Sequence, residues 1–215
     1  LTICNMGVET GAKAVIMPCD RVTETWISAN PYLDDGALNE RVDADSGATY
    51  RDTLEFNLDS VGPLIAAPHR VDNIHQVVDW VDKNIDSALI GTCTNGSIED
   101  IRIATDIVSK HGIAENVQLL VVPPSRSILE QAIKEGLISL LVERGALLVP
   151  PGCGPCCGAQ NGVPAAGEVV ISTANRNFRG RMGNVEAEIF LASPATVAAS
   201  AATGKITDPR RFLAN

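Results

Sequence analysis

The sequence has few aromatic residues, no long apolar run and no nucleotide-binding glycine loop. Aromatic side chains make up only 4% of its 215 residues. No stretch approaches the ~18 apolar residues that a membrane-spanning helix needs, and no secretory signal sequence is visible. Neither a Walker-type nor a Rossmann-type motif occurs. These absences argue against a membrane protein and give no indication of nucleotide binding.

Basic residues are too few for a protein whose main partner is a polyanion. The chain has 17 Lys and Arg against 26 Asp and Glu, which gives a net charge of -9. This balance argues against nucleic acid or an anionic membrane as the main partner. Small anionic substrates can still bind where arginines converge locally.

Cysteine is too sparse for a disulfide scaffold. Six cysteines occur, three of them crowded into residues 153–157, where adjacent Cys156 and Cys157 would make a strained pair. We therefore predict a reducing, cytoplasmic location. Because the sequence begins at Leu1 rather than at Met, we also expect it to be a piece of a longer protein.

Alternating strand and helix signals predict an α/β fold with a mainly parallel sheet. Hydrophobic residues make up 45% of the chain, and several short apolar runs are each followed by an amphipathic stretch. The predicted strands are 87–90, 117–122, 146–149 and 169–172. The predicted helices are 71–81, 97–111, 125–135, 137–144 and 194–203.

The first part of the chain is less regular. We predict a helix over 2–12, a buried strand at 14–17, a helix over 21–30 and an alternating strand at 50–58. This pattern suggests two units, 1–62 as the end of one α/β domain with an irregular connection, and 63–215 as a second α/β domain.

Three cysteines carry most of the chemical information. Cys93 follows one predicted strand, and Cys153 and Cys156 follow another. Loops after parallel strands gather at one edge of a sheet, so the three thiols are expected to share a site. Structural zinc requires four ligands, whereas three thiolates suit an iron–sulfur cluster that leaves one iron open.

The run CGPC at 153–156 also allows other interpretations. It is the active-site run of thioredoxin, where it opens a long helix. Here CGAQNGVP follows it, which cannot form a long helix. A thiol–disulfide redox module, a zinc site and unliganded structural thiols remain alternatives.

Polar residues elsewhere suggest a carboxylate site. Arg176, Arg179 and Arg181 occur in one glycine-bearing loop, and guanidinium groups bind carboxylates in bidentate fashion. Asn5 and Glu9 are spaced to share one helix face and could order a water beside a metal. Each set could equally be an exposed polar surface. The three histidines are scattered, and we assign them no role.

Four segments make the chain resemble the aconitase family, and within it the large subunit of 3-isopropylmalate dehydratase with its homoaconitase and dimethylmalate dehydratase relatives. These are TICNMGVE at 2–9, GTCTNG at 91–96, GCGPC at 152–156 and NRNFRGRMGN at 175–184. The resemblance implies aconitase-like three-layer α/β/α domains and an enzyme of leucine biosynthesis that reversibly dehydrates a hydroxy-dicarboxylate.

The resemblance also implies roles for individual residues. Cys93, Cys153 and Cys156 would hold a [4Fe-4S] cluster with one open iron. Asn5 and Glu9 would assist the iron-bound water and the substrate hydroxyl. The residues near the substrate carboxylates would be Asn175, Arg176 and Arg181.

Two parts of such an enzyme are not in this sequence. The resemblance implies a preceding N-terminal domain with further catalytic residues, and a separate small swivel-domain subunit that carries a serine base and reads much of the substrate side chain. We therefore expect this chain alone to be inactive.

Overall fold

Among the residues that the computed structural model describes, 1–29 and 42–213, seven strands form one mixed sheet. In chain order the strands are β1 (Leu64–Ala66), β2 (Ile74–Gln76), β3 (Ser87–Gly91), β4 (Gln118–Val122), β5 (Leu147–Leu148), β6 (Val169–Ser172) and β7 (Glu188–Ala192). Their spatial order is β2-β1-β7-β6-β3-β4-β5.

Strands β7, β6, β3, β4 and β5 run parallel, and β1 pairs antiparallel with β2 and β7. The expected α/β class with a mainly parallel sheet is therefore confirmed. β3 and β6 are buried along their whole length, because a parallel strand covered on both faces needs apolar side chains on both. That is why these segments read as continuous apolar runs.

The described residues also form seven α-helices. They are α1 (Thr2–Met6), α2 (Arg21–Ser28), α3 (Ile98–His111), α4 (Arg126–Lys134), α5 (Leu137–Glu143), α6 (Pro194–Thr203) and α7 (Arg210–Leu213). Helix α3 begins with a capping box between Ser97 and Asp100 and ends at Gly112. Helix α6 has Ser193 as its cap and Pro194 in its first turn, and ends at Gly204.

The two faces of the sheet are covered differently. On one face, Ile90 and Phe190 pack with apolar side chains of α3, α5 and α6. On the other face, Leu89 and Val122 pack against Cys156 and Met182, which belong to the loops beyond the strands. Those loops are therefore part of the core and not loose attachments to it.

Most of the predicted elements after residue 82 are observed, but the helix predicted at 71–81 is wrong. Its place is taken by β2 and by a 3-10 turn, Val77–Trp80. Apolar residues there recur at helical spacing, but Ile74–Gln76 pairs with β1 as an antiparallel strand. Strands β1 and β7 lie outside the predicted strands.

The two strands predicted in the first part of the chain are also wrong. Residues 14–17 and 50–58 form no strand, and Ile16 is 87% exposed. An apolar run becomes a strand only when a neighbour completes its hydrogen bonds, and none does so here within the described part of the chain. The first helix is shorter than predicted, because α1 passes into a 3-10 turn, Gly7–Thr10.

The division of the chain at residue 62 stays a prediction. Helix α2 occupies most of the helix predicted at 21–30, and residue 30 lies outside the described residues, as does the 31–41 part of the predicted irregular connection. No helix within the described ranges is both long enough and apolar enough to cross a membrane.

Candidate active site

Three loops that carry the predicted site residues meet at one edge of the sheet. They follow β3, β5 and β6, which lie close together in the parallel part of the sheet. Parallel strands end at the same edge, so Cys93, Cys153 and Arg176 are delivered to the same side. The expectation that the two cysteine loops share an edge is confirmed.

The turn that holds Cys93 is fixed by a close backbone approach. Gly91 has φ +109, and a Cβ added there would lie 2.0 Å from the carbonyl oxygen of Val122. The hydroxyl of Thr173 accepts from the Gly91 amide at 2.9 Å and donates to the Gly91 carbonyl at 3.0 Å. Only glycine fits this position, and the turn it allows sets the direction of the cysteine.

The second cysteine loop is short and packed on the sheet. Residues Gly154–Cys157 form a 3-10 turn that ends at Gly158 in the left-handed region. A Cβ on Gly158 would lie 2.6 Å from the amide nitrogen of Gly183. The absence of a side chain at residue 158 therefore lets the cysteine loop lie against the arginine loop.

The thiols influence one another electrostatically. Burial raises the pKa of Cys153, and the nearby thiols of Cys93, Cys156 and Cys157 raise it further. Burial also raises the pKa of Cys156, while the Arg181 guanidinium lowers it, with Nη2 3.7 Å from Sγ. The thiols of Cys153 and Cys156 are therefore protonated at neutral pH when no metal is bound, and metal uptake must release protons.

This donor set suits a cluster better than a single ion. Within the described residues, no group of three or more His, Cys, Asp or Glu side chains is arranged to hold one metal ion. Cys93, Cys153 and Cys156 are nevertheless close enough to perturb one another. Thiolates are the usual ligands of iron–sulfur clusters, whose several irons need more widely spaced sulfurs than one ion does.

The second group of predicted residues meets beside α1. The Arg176 Nε donates to Glu9 Oε1 at 2.5 Å, its Nη1 donates to Asn5 Oδ1 at 2.9 Å, and its Nη2 donates to the Asn5 carbonyl at 2.9 Å. The ion pair is largely shielded, with side-chain exposures of 20% and 34%. Asn5, on α1, and Glu9, on the 3-10 turn after it, are thus brought together by their shared hydrogen bonds to Arg176.

Asn175 joins the two groups of residues. Its Nδ2 donates to Asn5 Oδ1 at 2.7 Å and to Thr94 Oγ1 at 2.7 Å. Its Oδ1 accepts from Asn95 Nδ2 at 2.6 Å. Since Thr94 follows Cys93 directly, one chain of hydrogen bonds runs from the cysteine turn to Asn5 and Arg176.

The three arginines of the loop have different surroundings. Arg181 lies 5.5 Å from the centre of the Phe178 ring, and its buried Nε makes no hydrogen bond to a described residue. Arg179 is exposed, and among the described residues its guanidinium reaches only the Val185 carbonyl, at 3.5 Å. The structure therefore brings Arg176 and Arg181 to the site and leaves Arg179 outside it.

Sequence reasoning missed three polar residues that organise this edge. Thr94 and Asn95 follow Cys93 in the run GTCTNG at 91–96, so their closeness to a predicted ligand could have marked them as site residues. Thr173 gave no such signal, because its double hydrogen bond to Gly91 joins residues 82 positions apart.

Comparison with known proteins agrees with this geometry. The sequence model of the aconitase family (aconitate hydratase) matches residues 1–83 and 75–204. The 3-isopropylmalate dehydratase large subunit 1 of Thermotoga maritima is 49% identical over 99% of this chain and 51% of its own length. The 3-isopropylmalate dehydratase large subunit 2 of Archaeoglobus fulgidus is 46% identical over 99% of this chain and 50% of its own length.

A third relative carries a different name. The probable methanogen homoaconitase large subunit of Methanosarcina mazei is 44% identical over 99% of this chain and 52% of its own length. The chain therefore spans about half the length of the curated relatives that it matches.

Proposed function

This chain belongs to the aconitase family, and on that premise we propose that it is part of the large subunit of an iron–sulfur-dependent hydro-lyase acting on a hydroxy-dicarboxylate such as isopropylmalate. One observation carries the proposal. The thiols of Cys93, Cys153 and Cys156 lie close together, the thiol of Cys156 lies beside Arg181, and hydrogen bonds through Thr94 and Asn175 join the cysteine turn to the Arg176–Glu9 pair.

Cys93, Cys153 and Cys156 would hold a [4Fe-4S] cluster in this enzyme. When bound, the cluster would supply an open iron that acts as a Lewis acid toward the substrate hydroxyl oxygen. The backbone turns at Gly91 and Gly158 support this role, because glycine at these two positions lets the two cysteine loops pack closely against neighbouring backbone.

The polar residues of this chain would bind and orient the substrate. The described residues accept three of the five N–H bonds of Arg176, so two remain for a carboxylate oxygen. Arg181 adds a second guanidinium close to the thiols. Glu9 is held by Arg176 and would exchange a proton with a water or hydroxyl beside the site, with Asn5 and Asn175 fixing the direction of their hydrogen bonds.

The relatives' names support the proposed substrate and partners. Two of these relatives are named as 3-isopropylmalate dehydratases and a third as a homoaconitase, so isopropylmalate is the first candidate and homoaconitate the second. The relatives are called large subunits, which supports a small subunit as partner, and by resemblance that subunit carries the base. Neither nucleic acid nor a membrane is proposed as a partner.

A further domain is proposed to cover the first part of this chain. Exposed apolar side chains there include Ile3 at 66%, Ile16 at 87% and Trp26 at 63%. The unmatched half of each relative is long enough to supply such a domain. We propose that it is the N-terminal domain expected from the family resemblance.

Cluster assembly gives a direct test. After anaerobic reconstitution with iron and sulfide, the chain should absorb broadly in the visible and bind about four irons. Cys93→Ser, Cys153→Ser and Cys156→Ser should each abolish this absorption. Cys157→Ser is the matched control, because it removes an exposed neighbouring thiol, and it should retain the cluster. A stable cluster in Cys93→Ser would overturn the proposal.

The thiol–disulfide alternative is less well supported. In that function a CxxC run opens a helix long enough to stabilise the thiolate, whereas here Gly158 ends the turn after four residues. Reduction of insulin by the iron-free chain with dithiothreitol would favour the alternative, and we expect none above the dithiothreitol background.

A further inference from the structure

The turn that carries Cys93 is closed on itself, so a change at this cysteine must reach Asn95. Gly91 and Asn95 pair as an isolated antiparallel bridge, and the Thr173 hydroxyl lies 3.0 and 3.4 Å from their carbonyl oxygens. A Cβ added to Gly96 would lie 2.9 Å from the Gly91 Cα, which shows how closely the two ends of the turn approach each other. Cys93 lies at the centre of this turn, and Asn95 forms one of its ends.

The side chain of Asn95 joins three segments of the site. Its Nδ2 donates to the Thr173 carbonyl at 2.5 Å and to Asn175 Oδ1 at 2.6 Å. Its Oδ1 accepts from the hydroxyl of Thr2, the first residue of α1. Both amide hydrogens and the amide oxygen are therefore used, and the cysteine turn, the loop after β6 and α1 meet at one side chain.

A backbone carbonyl fixes the direction of these hydrogen bonds. The Thr173 carbonyl can only accept, so the amide NH₂ group of Asn95 must face it and the amide oxygen must face Thr2. The same NH₂ group faces the Oδ1 of Asn175, which leaves the Asn175 NH₂ group to donate to Asn5 Oδ1 at 2.7 Å. The direction in which Asn175 and Asn5 present their polar atoms therefore depends on Asn95.

From this arrangement we propose that Asn95 is a positioning residue that links the cysteine turn to α1, so that a cluster held by Cys93 also stabilises the segment with Asn5 and Glu9. The inference rests on the proposed function, since it takes the cysteine site to be filled by a cluster. A ligand that holds the turn in one arrangement also favours the groups bonded to that arrangement, and the effect is reciprocal. Because α1 buries none of its own residues, such a link can determine how often it opens.

Hydrogen exchange at residues 2–10 measures the link with and without the cluster. In the wild-type chain, anaerobic reconstitution should slow this exchange about fivefold or more. Asn95→Leu keeps the approximate shape of the side chain but forms no hydrogen bond, so it should reduce the slowing to less than about twofold. Asn116→Leu is the control and should keep the wild-type slowing, because Asn116 donates at 3.4 Å to the Ile85 carbonyl, at the opposite end of β3 from Cys93.

Variants of Thr2 separate this link from a general weakening of the turn. Thr2→Val removes the hydroxyl and leaves the cysteine turn in place, whereas Thr2→Ser keeps the hydroxyl and should match the wild type. In the cluster-free chain, Thr2→Val and Asn95→Leu should each accelerate exchange at residues 2–10 about fivefold, the order expected for one lost hydrogen bond. The double variant should exchange no faster than Asn95→Leu alone, because both changes remove the same bond.

Three results would overturn the link: a loaded wild-type chain without slower exchange, equal slowing in Asn95→Leu and Thr2→Val, or additive acceleration in the double variant. If Asn95→Leu does not hold a cluster, Thr2→Val decides, since it leaves the turn intact. A wild-type chain that takes up no cluster would instead overturn the proposed function, and the cluster-free double-variant comparison would still decide whether Asn95 holds α1. The two failures are therefore distinguishable.

Discussion

The two halves of the candidate site are held in place by different forces. The half with Cys93, Cys156 and Arg181 lies on loops packed against the sheet, and Cys156 itself belongs to a buried cluster. The half with Asn5 and Glu9 lies on α1 and the turn after it, where Gly7 is the only described residue that is buried. Tertiary packing fixes the first half, and polar contacts through Arg176 and Asn175 fix the second.

This difference has a functional consequence. A metal-binding site needs ligands that are positioned before the metal arrives, which packed loops provide. Residues that handle substrate and water can be ordered by hydrogen bonds that adjust as ligands change. We therefore expect the cysteine half to respond to mutations as a core does, and the Asn5–Glu9 half to respond as a surface does.

The largest effect should come from the packed half. Gly91→Ala forces a Cβ to within 2.0 Å of the Val122 carbonyl oxygen, so the turn before Cys93 must shift. We expect the free energy of unfolding, measured by urea denaturation, to fall by about 3 kcal/mol or more, with loss of cluster binding.

Gly136→Ala is the matched control for this change. Gly136 also has a positive φ, +75, with ψ 4, but nothing lies within 4 Å of its added Cβ. The cost should be limited to the left-handed backbone strain of about 1–2 kcal/mol. Equal losses in the two variants would show that the close approach at Gly91 does not hold the cysteine turn.

A smaller, local effect is expected in the polar half. Arg176→Met removes the contacts to Asn5 and Glu9 but no core packing. Hydrogen exchange at residues 2–10 should accelerate about tenfold, equivalent to ~1.4 kcal/mol of local opening, while the global free energy of unfolding changes by less than about 1 kcal/mol.

Arg179→Met controls for the loss of a guanidinium from the same loop. Within the described ranges Arg179 makes a single hydrogen bond, at 3.5 Å, to a carbonyl six residues away, and its removal should leave exchange at residues 2–10 unaltered. If Arg176→Met also leaves that exchange unaltered, packing and not the polar network positions α1.

The same contrast explains what the sequence could predict. Strands β3, β4 and β6 were predictable because a buried parallel strand must be largely apolar, and β3 and β4 also end at an explicit glycine or proline, Gly91 and Pro123. Cys93, Cys153 and Cys156 could be placed together because strand order alone puts their loops at one edge.

What escaped prediction depends on contacts distant in the chain. β2 has the apolar spacing of a helix and becomes a strand only through its pairing with β1. His69 is inconspicuous in the sequence, and only the fold brings its loop to face Arg176 and Glu9. Segment 50–58 alternates apolar and polar residues as a strand does, but no strand within the described residues pairs with it.

The smallest expected effect concerns α2, which also belongs to the first part of the chain and buries none of its residues. Asp20 caps it by accepting from the Thr23 amide at 2.8 Å, and this hydrogen bond holds the pKa of Asp20 below its ordinary value of 3.8. A carboxyl whose pKa is lowered on folding stabilises the helix above the unfolded pKa and loses that contribution as the pH falls through the folded one.

Hydrogen exchange at residues 22–28 should therefore accelerate as the pH is lowered through the range below 3.8, after correction for intrinsic rates. Asp20→Ala should show the faster exchange already at neutral pH, because Ala cannot cap. Asp20→Asn is the control, since Asn caps without titrating, and it should remove the pH dependence while keeping the protection. In α3, whose inner face is buried under the sheet, loss of the Ser97 hydroxyl in Ser97→Ala should leave exchange at the buried residues 104, 105, 107 and 108 nearly unchanged. An equal loss of protection in both helices would contradict the contrast between the exposed first part of the chain and the packed sheet, because it would mean that α2 and α3 depend on their caps to the same degree.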